Sequence, residues 1–165
     1  MTSGHNFWRL PVSAASSTAL QVDRLTSDPT AESATMKATR IDHLVIAVKD
    51  LDAAIATYTA TLGLEKVREG EVPALGIRNA FLKLGDAELE LAAPLSDDTP
   101  VGKFLQGQGE GMYLLALEVD SLDEAIATFE AKGARVNVAE GSDGQRRAFV
   151  SPRVTHGVLL QLLER

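Results

Sequence analysis

One eight-residue pattern occurs twice in this chain. Leu51-Asp52-Ala53-Ala54-Ile55-Ala56-Thr57-Tyr58 returns as Leu122-Asp123-Glu124-Ala125-Ile126-Ala127-Thr128-Phe129, a displacement of 71 residues. Recurrence of a supersecondary pattern at a fixed offset marks an internal duplication, so the chain must fold as two like units packed together. An apolar run precedes each copy. Before the first it is Ile41-Asp42-His43-Leu44-Val45-Ile46-Ala47-Val48, and before the second Met112-Tyr113-Leu114-Leu115-Ala116-Leu117-Glu118-Val119.

Periodicity fills in the units. In the first, residues 41–48 read as a strand and 51–62 as a helix with Leu51, Ala54, Ile55, Tyr58 and Leu62 on one stripe, closed by Gly63 as C-terminal cap. A weaker strand near 65–68 and strands at 77–84 and 87–92, separated by Gly85-Asp86, complete the order β-α-β-β-β. The second unit repeats it, with a strand at 112–119, a helix ending at Lys132-Gly133, and strands at 135–138, 147–150 and 158–163. Between the modules, about 40–93 and 112–165, runs a linker over 94–111, in which Thr99 is a helix N-cap and Pro100 the first helical residue. The expectation is an α+β domain of two four-stranded sheets with helices on their outer faces.

Composition limits the rest. A chain of 165 residues with 45% hydrophobic content buries one substantial core. Net charge is −7 and no basic run exceeds the pair Arg146-Arg147, which excludes nucleic acid and anionic lipid as partners. There is no cysteine, hence no disulfide, thiolate nucleophile or Cys-based metal site. No apolar run approaches the roughly 20 residues of a membrane span. A cytoplasmic protein is expected. Residues 1–39 are rich in Ser, Thr and Ala, broken by Pro11 and Pro29, and read as a flexible tail. Met36 is an alternative start, and docking of Phe7, Trp8 and Leu10 on the domain is the alternative role for the tail.

The duplication also points to a site. It maps His43 onto Leu114 and Glu90 onto Gln161. Strand alternation puts Leu44, Ile46 and Val48 on one face and His43, Val45 and Ala47 on the other, and sets Leu89 and Leu91 against Glu88 and Glu90. With the leucine faces on the helices, His43 and Glu90 share the inner, concave face, where an imidazole nitrogen and a carboxylate oxygen suit a first-row metal. The plainer reading is a hydrogen-bonded strand histidine beside the wet face of an antiparallel sheet.

The duplicated layout with I-D-H-L-V-I-A-V resembles the vicinal oxygen chelate superfamily of glyoxalase I, extradiol dioxygenases and bleomycin-resistance proteins. Within it, E71-V-P-A-L-G-I-R-N-A-F-L-K-L-G-D-A-E-L-E-L-A-A-P-L, then S-D-D-T-P-V-G-K-F-L and G157-V-L-L-Q-L, are similar to the methylmalonyl-CoA epimerases, over residues 41–163. The resemblance implies an open, U-shaped eight-stranded sheet with metal positions at His43, Glu90, Leu114 and Gln161, taking Co, Ni, Zn or Mn. It also implies proton transfer beside a thioester carbonyl, an acyl-CoA ligand and a homodimer.

The chain departs from that pattern at its working positions. Where the epimerases carry G-x-H-H, it has Gly111-Met112-Tyr113-Leu114, and leucine coordinates nothing. Gln161 replaces a glutamate that doubles as base, and Asn79 stands where some members carry a carboxylate. Glu90 is left as the catalytic carboxylate. Two functional classes follow: an epimerase- or glyoxalase-like enzyme with a weakened metal site, or a metal-free protein that binds or sequesters a small ligand. Asn79, Leu114, Arg147, Arg153 and His156 are the substrate-binding candidates. Arg146, Arg147 and Arg153 suit coenzyme phosphates or are ordinary surface charge, and the bland reading of His156 is a solvated turn residue.

Overall fold

A computed structural model of the protein describes residues 36–141 and 143–165. The expected tail, with Phe7, Trp8 and Leu10, lies outside the described residues except for its last four, and the first strand already begins at Ala38. In chain order the elements are β1 (Ala38–Ala47), α1 (Leu51–Leu62), β2 (Lys66–Val72), a single 3-10 turn (Pro73–Leu75), β3 (Ile77–Leu84), β4 (Ala87–Pro94), α2 (Pro100–Gln108), β5 (Gly111–Val119), α3 (Leu122–Ala131), β6 (Val136–Glu140), β7 (Arg146–Val150) and β8 (Leu160–Glu164).

Local chemistry explains the helix ends. Asp50 caps α1 by accepting the Ala53 N–H at 3.0 Å, and Gly63 ends it at φ 67°, the left-handed conformation that glycine adopts without strain. Ser121 caps α3 in the equivalent place, accepting from Glu124. Thr99 caps α2 through the Gly102 N–H at 3.1 Å, with Pro100 at the first turn. No helix of the described residues is long and apolar enough to cross a membrane.

The two modules share one open eight-stranded sheet, as the resemblance implied, and not the two sheets that periodicity alone suggested; its order is β2-β3-β4-β1-β5-β8-β7-β6. The join is the antiparallel pair β1·β5, and each of these strands runs parallel to the last strand of its own module. Register obeys the duplication: Val45 stands beside Glu90 as Ala116 stands beside Gln161. Across the join His43 pairs with Ala116 and Leu114 with Val45, so His43 and Leu114 are diagonal neighbours, not opposite partners. The strand expected near 65–68 extends to Val72; as an exposed edge its sequence, KVREGEV, shows little alternation. Conversely, the last strand starts at Leu160, because Val158 and Leu159 belong to the preceding loop.

Burial separates the faces. Leu82, Leu89 and Leu91 pack with Leu51, Ile55 and Tyr58 of α1, while Val119, Val150 and Leu162 pack with Leu122, Ala125 and Phe129 of α3. Both module helices therefore cover the outer face, as alternation requires. The linker helix does not. Val101 and Leu105 of α2 bury against Val45, Ala47, Ile77, Ala92, Leu114 and Ala116, which are inner-face residues. Burying this apolar patch draws α2 over one end of the concave face.

Candidate functional site

β1 and β4 bring His43 and Glu90 together on the concave face, with His43 Nε2 3.5 Å from Glu90 Oε2 and both side chains largely buried. Asn79, from β3, donates its amide N–H to the other Glu90 oxygen at 2.6 Å. Phe81, the cross-strand partner of Glu90, sets its ring edge-on to the imidazole, the centroids 6.0 Å apart. Arg68 stacks 3.5 Å above Phe81 and grips Glu88 with two hydrogen bonds of 2.6 and 2.7 Å. Glu88 is thereby neutralised, and Glu90 faces the cleft without a bound arginine.

Burial pushes the Glu90 carboxyl above its ordinary range, against the opposing pull of the Asn79 hydrogen bond and the neighbouring His43. A carboxyl so displaced holds its proton more firmly than an ordinary one and, once ionised, is the stronger base. His43 has a partner of its own on the other side of the ring: its Nδ1 lies 2.7 Å from Asp42 Oδ2.

Leu114 and Gln161 occupy the corresponding inner-face positions of the second module, both buried. Phe149 flanks Gln161 as Phe81 flanks Glu90, and Arg147, on the same strand as Phe149, is the counterpart of Asn79. Arg147 does not reach for Gln161. Its guanidinium clamps Asp143 at 2.7 and 2.9 Å and holds that carboxyl well below the usual range. Arg146 pairs with Asp123 at 2.8 Å. Arg153 and His156 lie exposed on the loop before β8, His156 at φ 56°. Of the sequence-derived candidates, the structure gathers His43, Glu90 and Asn79 in direct contact, sets Leu114 and Gln161 on the same face, and leaves Arg153 and His156 at the surface.

Sequence reasoning missed Asp42, Arg68 and Phe81. Strict alternation sends Asp42 to the outer face, and Arg68 lies in the strand whose pattern was weakest. A cavity of about 560 Å³ adjoins the site at the end of the sheet away from α2, lined by Arg40, Asp42, Arg68, Lys83, Glu88 and Arg165 among others.

The donor set falls short of the four-position divalent-metal centre that the resemblance implied. It offers one imidazole, one carboxylate already hydrogen-bonded by Asn79, one amide and, at the remaining corner, the hydrocarbon of Leu114. No three His, Asp or Glu side chains among the described residues gather closely enough to hold an ion.

A duplicated β-α-β-β-β sheet with its polar groups on the concave side defines a class, and the family model for the Glyoxalase/Bleomycin resistance protein/Dioxygenase superfamily matches residues 42–149. The chain belongs to that superfamily. Human mitochondrial methylmalonyl-CoA epimerase is 32% identical over 157 residues, covering 93% of this chain and 86% of that protein. Among solved structures, methylmalonyl-CoA epimerase from Mycobacterium tuberculosis superposes with a TM-score of 0.70 at 36% identity, covering 77% of this chain and 88% of that one. A Streptomyces coelicolor methylmalonyl-CoA epimerase variant in complex with 2-nitronate-propionyl-CoA gives 0.71 at 37%, covering 78% and 95%.

Proposed function

We propose that the protein binds an acyl-CoA-type thioester in the concave cleft and that Glu90 exchanges the proton on the carbon alpha to the carbonyl, with little inversion of that carbon. The buried Glu90 carboxyl, contacted by Asn79 and His43, carries this reading. Removal of the alpha proton needs a base and a group to hold the enolate oxygen. Glu90 is the base, and the side-chain amides of Asn79 and Gln161 are the donors available on this face. Inversion needs a second proton carrier on the opposite side of the carbon. The second module sets Leu114, Gln161 and Arg147 at the matched positions, and none of them is a proton carrier at neutral pH. Similarity to epimerases, one of them solved with 2-nitronate-propionyl-CoA, supports the thioester as ligand.

Methylmalonyl-CoA incubated with the protein in deuterated water tests this. Wild type is expected to deuterate the alpha carbon faster than it interconverts the epimers, and Glu90→Gln to lose deuteration by roughly a hundred- to ten-thousand-fold. Absence of deuteration above the protein-free control would defeat the reading. Saturable thioester binding without deuteration would instead support the second reading, a metal-free binding protein, which the absence of an ionisable group at Leu114 and Gln161 favours.

A further inference from the structure

We infer that Asp42 is the positioning residue of this site: it holds His43 as the Nδ1–H tautomer and so turns the Nε2 lone pair toward Glu90 and the cleft. The catalytic consequence rests on the function proposed above; the tautomer does not. A carboxylate only accepts, so at 2.7 Å from Asp42 Oδ2 the imidazole Nδ1 must carry the hydrogen. In neutral imidazole the other nitrogen is then bare.

The backbone is built for this contact. Between Ile41 and His43 on β1 the partner strand advances only from Leu117 to Ala116, so Asp42 is an extra residue in the ladder. Such a bulge re-aims a side chain that alternation would send to the other face. The second module has the mirror bulge at Tyr113, where β5 advances from Leu114 to Met112 against consecutive residues of β1. There the re-aimed side chain packs edge-on against Phe104 of α2, the centroids 5.2 Å apart. One bulge, duplicated, holds the polar pair Asp42-His43 in one module and the apolar pair Tyr113-Leu114 in the other.

Asp42 is in turn held in place. Its side chain is 7% exposed, and its Oδ1 lies 2.8 Å from Arg165 Nη2 and 3.8 Å from Arg40 Nη2. A buried carboxylate is tolerated when so paired. Arg165 follows β8, so the second module buttresses the histidine of the first.

The chain has three histidines, which makes histidine-selective ¹⁵N NMR on the full-length protein decisive. His43 is assigned by the signals missing in His43→Gln. Wild-type His43 is expected to be protonated at Nδ1 and bare at Nε2, and Asp42→Ala to shift it toward the Nε2–H form. Alpha-deuteration of methylmalonyl-CoA by Asp42→Ala should drop as well, because the imidazole that contacts the Glu90 base loses its fixed orientation. A wild-type His43 carrying its hydrogen on Nε2, or an unchanged tautomer in Asp42→Ala, overturns the inference. Where Asp42→Ala does not fold, the wild-type tautomer decides the matter alone. The expected tautomer in a protein that deuterates nothing supports Asp42 as the positioning residue and defeats only the proton-exchange reading.

Discussion

At Glu90 burial works against charge, and the sign of the effect can be followed through to stability. Its carboxyl is raised in the folded protein above the unfolded value, so folding favours the protonated form. The stability this group contributes is complete below the unfolded pKa and is lost as pH rises through the folded one. Wild type therefore gives up stability as pH rises above the unfolded value, by keeping a proton that the unfolded chain releases or by burying the charge. Glu90→Gln keeps an oxygen for the Asn79 donor and removes that charge. It should be more stable than wild type at about pH 7, with the gain shrinking toward about pH 4, where both side chains are neutral. Urea unfolding across that range measures it, and a variant less stable at neutrality would show that the contacts of the carboxyl with Asn79 and His43 outweigh desolvation. Such a gain joined to lost deuteration is the expected trade of stability against function.

The helices show which elements tolerate change. Gly102 sits inside α2, where propensity alone favours alanine by about 1 kcal/mol. A Cβ there would meet the Ser96 carbonyl oxygen at 2.6 Å and that of Asp97 at 2.7 Å. Gly102→Ala should thus destabilise by roughly 1 to 3 kcal/mol, the usual cost of overpacking, read as a lower denaturant midpoint with unchanged slope. An increase in stability would mean that the loop over 96–98 yields easily. At the module helices, Asp50→Ala and Ser121→Ala each remove a side-chain acceptor from the first turn and should cost about 1 kcal/mol apiece. The two caps lie in separate modules, so the double variant should be additive within about 0.5 kcal/mol.

At the scale of the whole molecule, the join between modules decides whether a metal site can be rebuilt. His43 and Leu114 lie diagonally across β1·β5, with Glu90 and Gln161 on the flanking strands of the same face. Leu114→His should place a second imidazole within reach of His43 and Glu90 and raise affinity for nickel, cobalt or zinc at least tenfold, or about 1.4 kcal/mol. Competition with a chromophoric chelator measures it. Without metal the polar ring should cost roughly 1 to 3 kcal/mol of stability. Unchanged affinity in a folded variant would mean that the four positions do not converge. The sheet ends at β2 and β6, whose strands are largely exposed, and homodimerisation would cover such edges. Light scattering should then give about twice the 17.6 kDa chain mass, and a monomer at micromolar concentration would contradict the dimer.

The amino-acid order determined the modules, the helix caps and the face on which His43 and Glu90 lie, because a repeat at offset 71, a 3.6-residue stripe and strict strand alternation are local properties. It also exposed the asymmetry of the site, since Leu114 and Gln161 can be read against His43 and Glu90 without coordinates. What it could not determine depends on pairing between distant segments. The placement of α2 on the inner face and the reach of Arg165 to Asp42 are decided by which surfaces bury which, and the joining of two sheets into one, which periodicity alone did not give, came only from the family resemblance. Asp42 is the clearest case. Alternation alone turns it away from His43, and only the slip in register between β1 and β5 brings its carboxylate to the imidazole, because a bulge exists only relative to a partner strand.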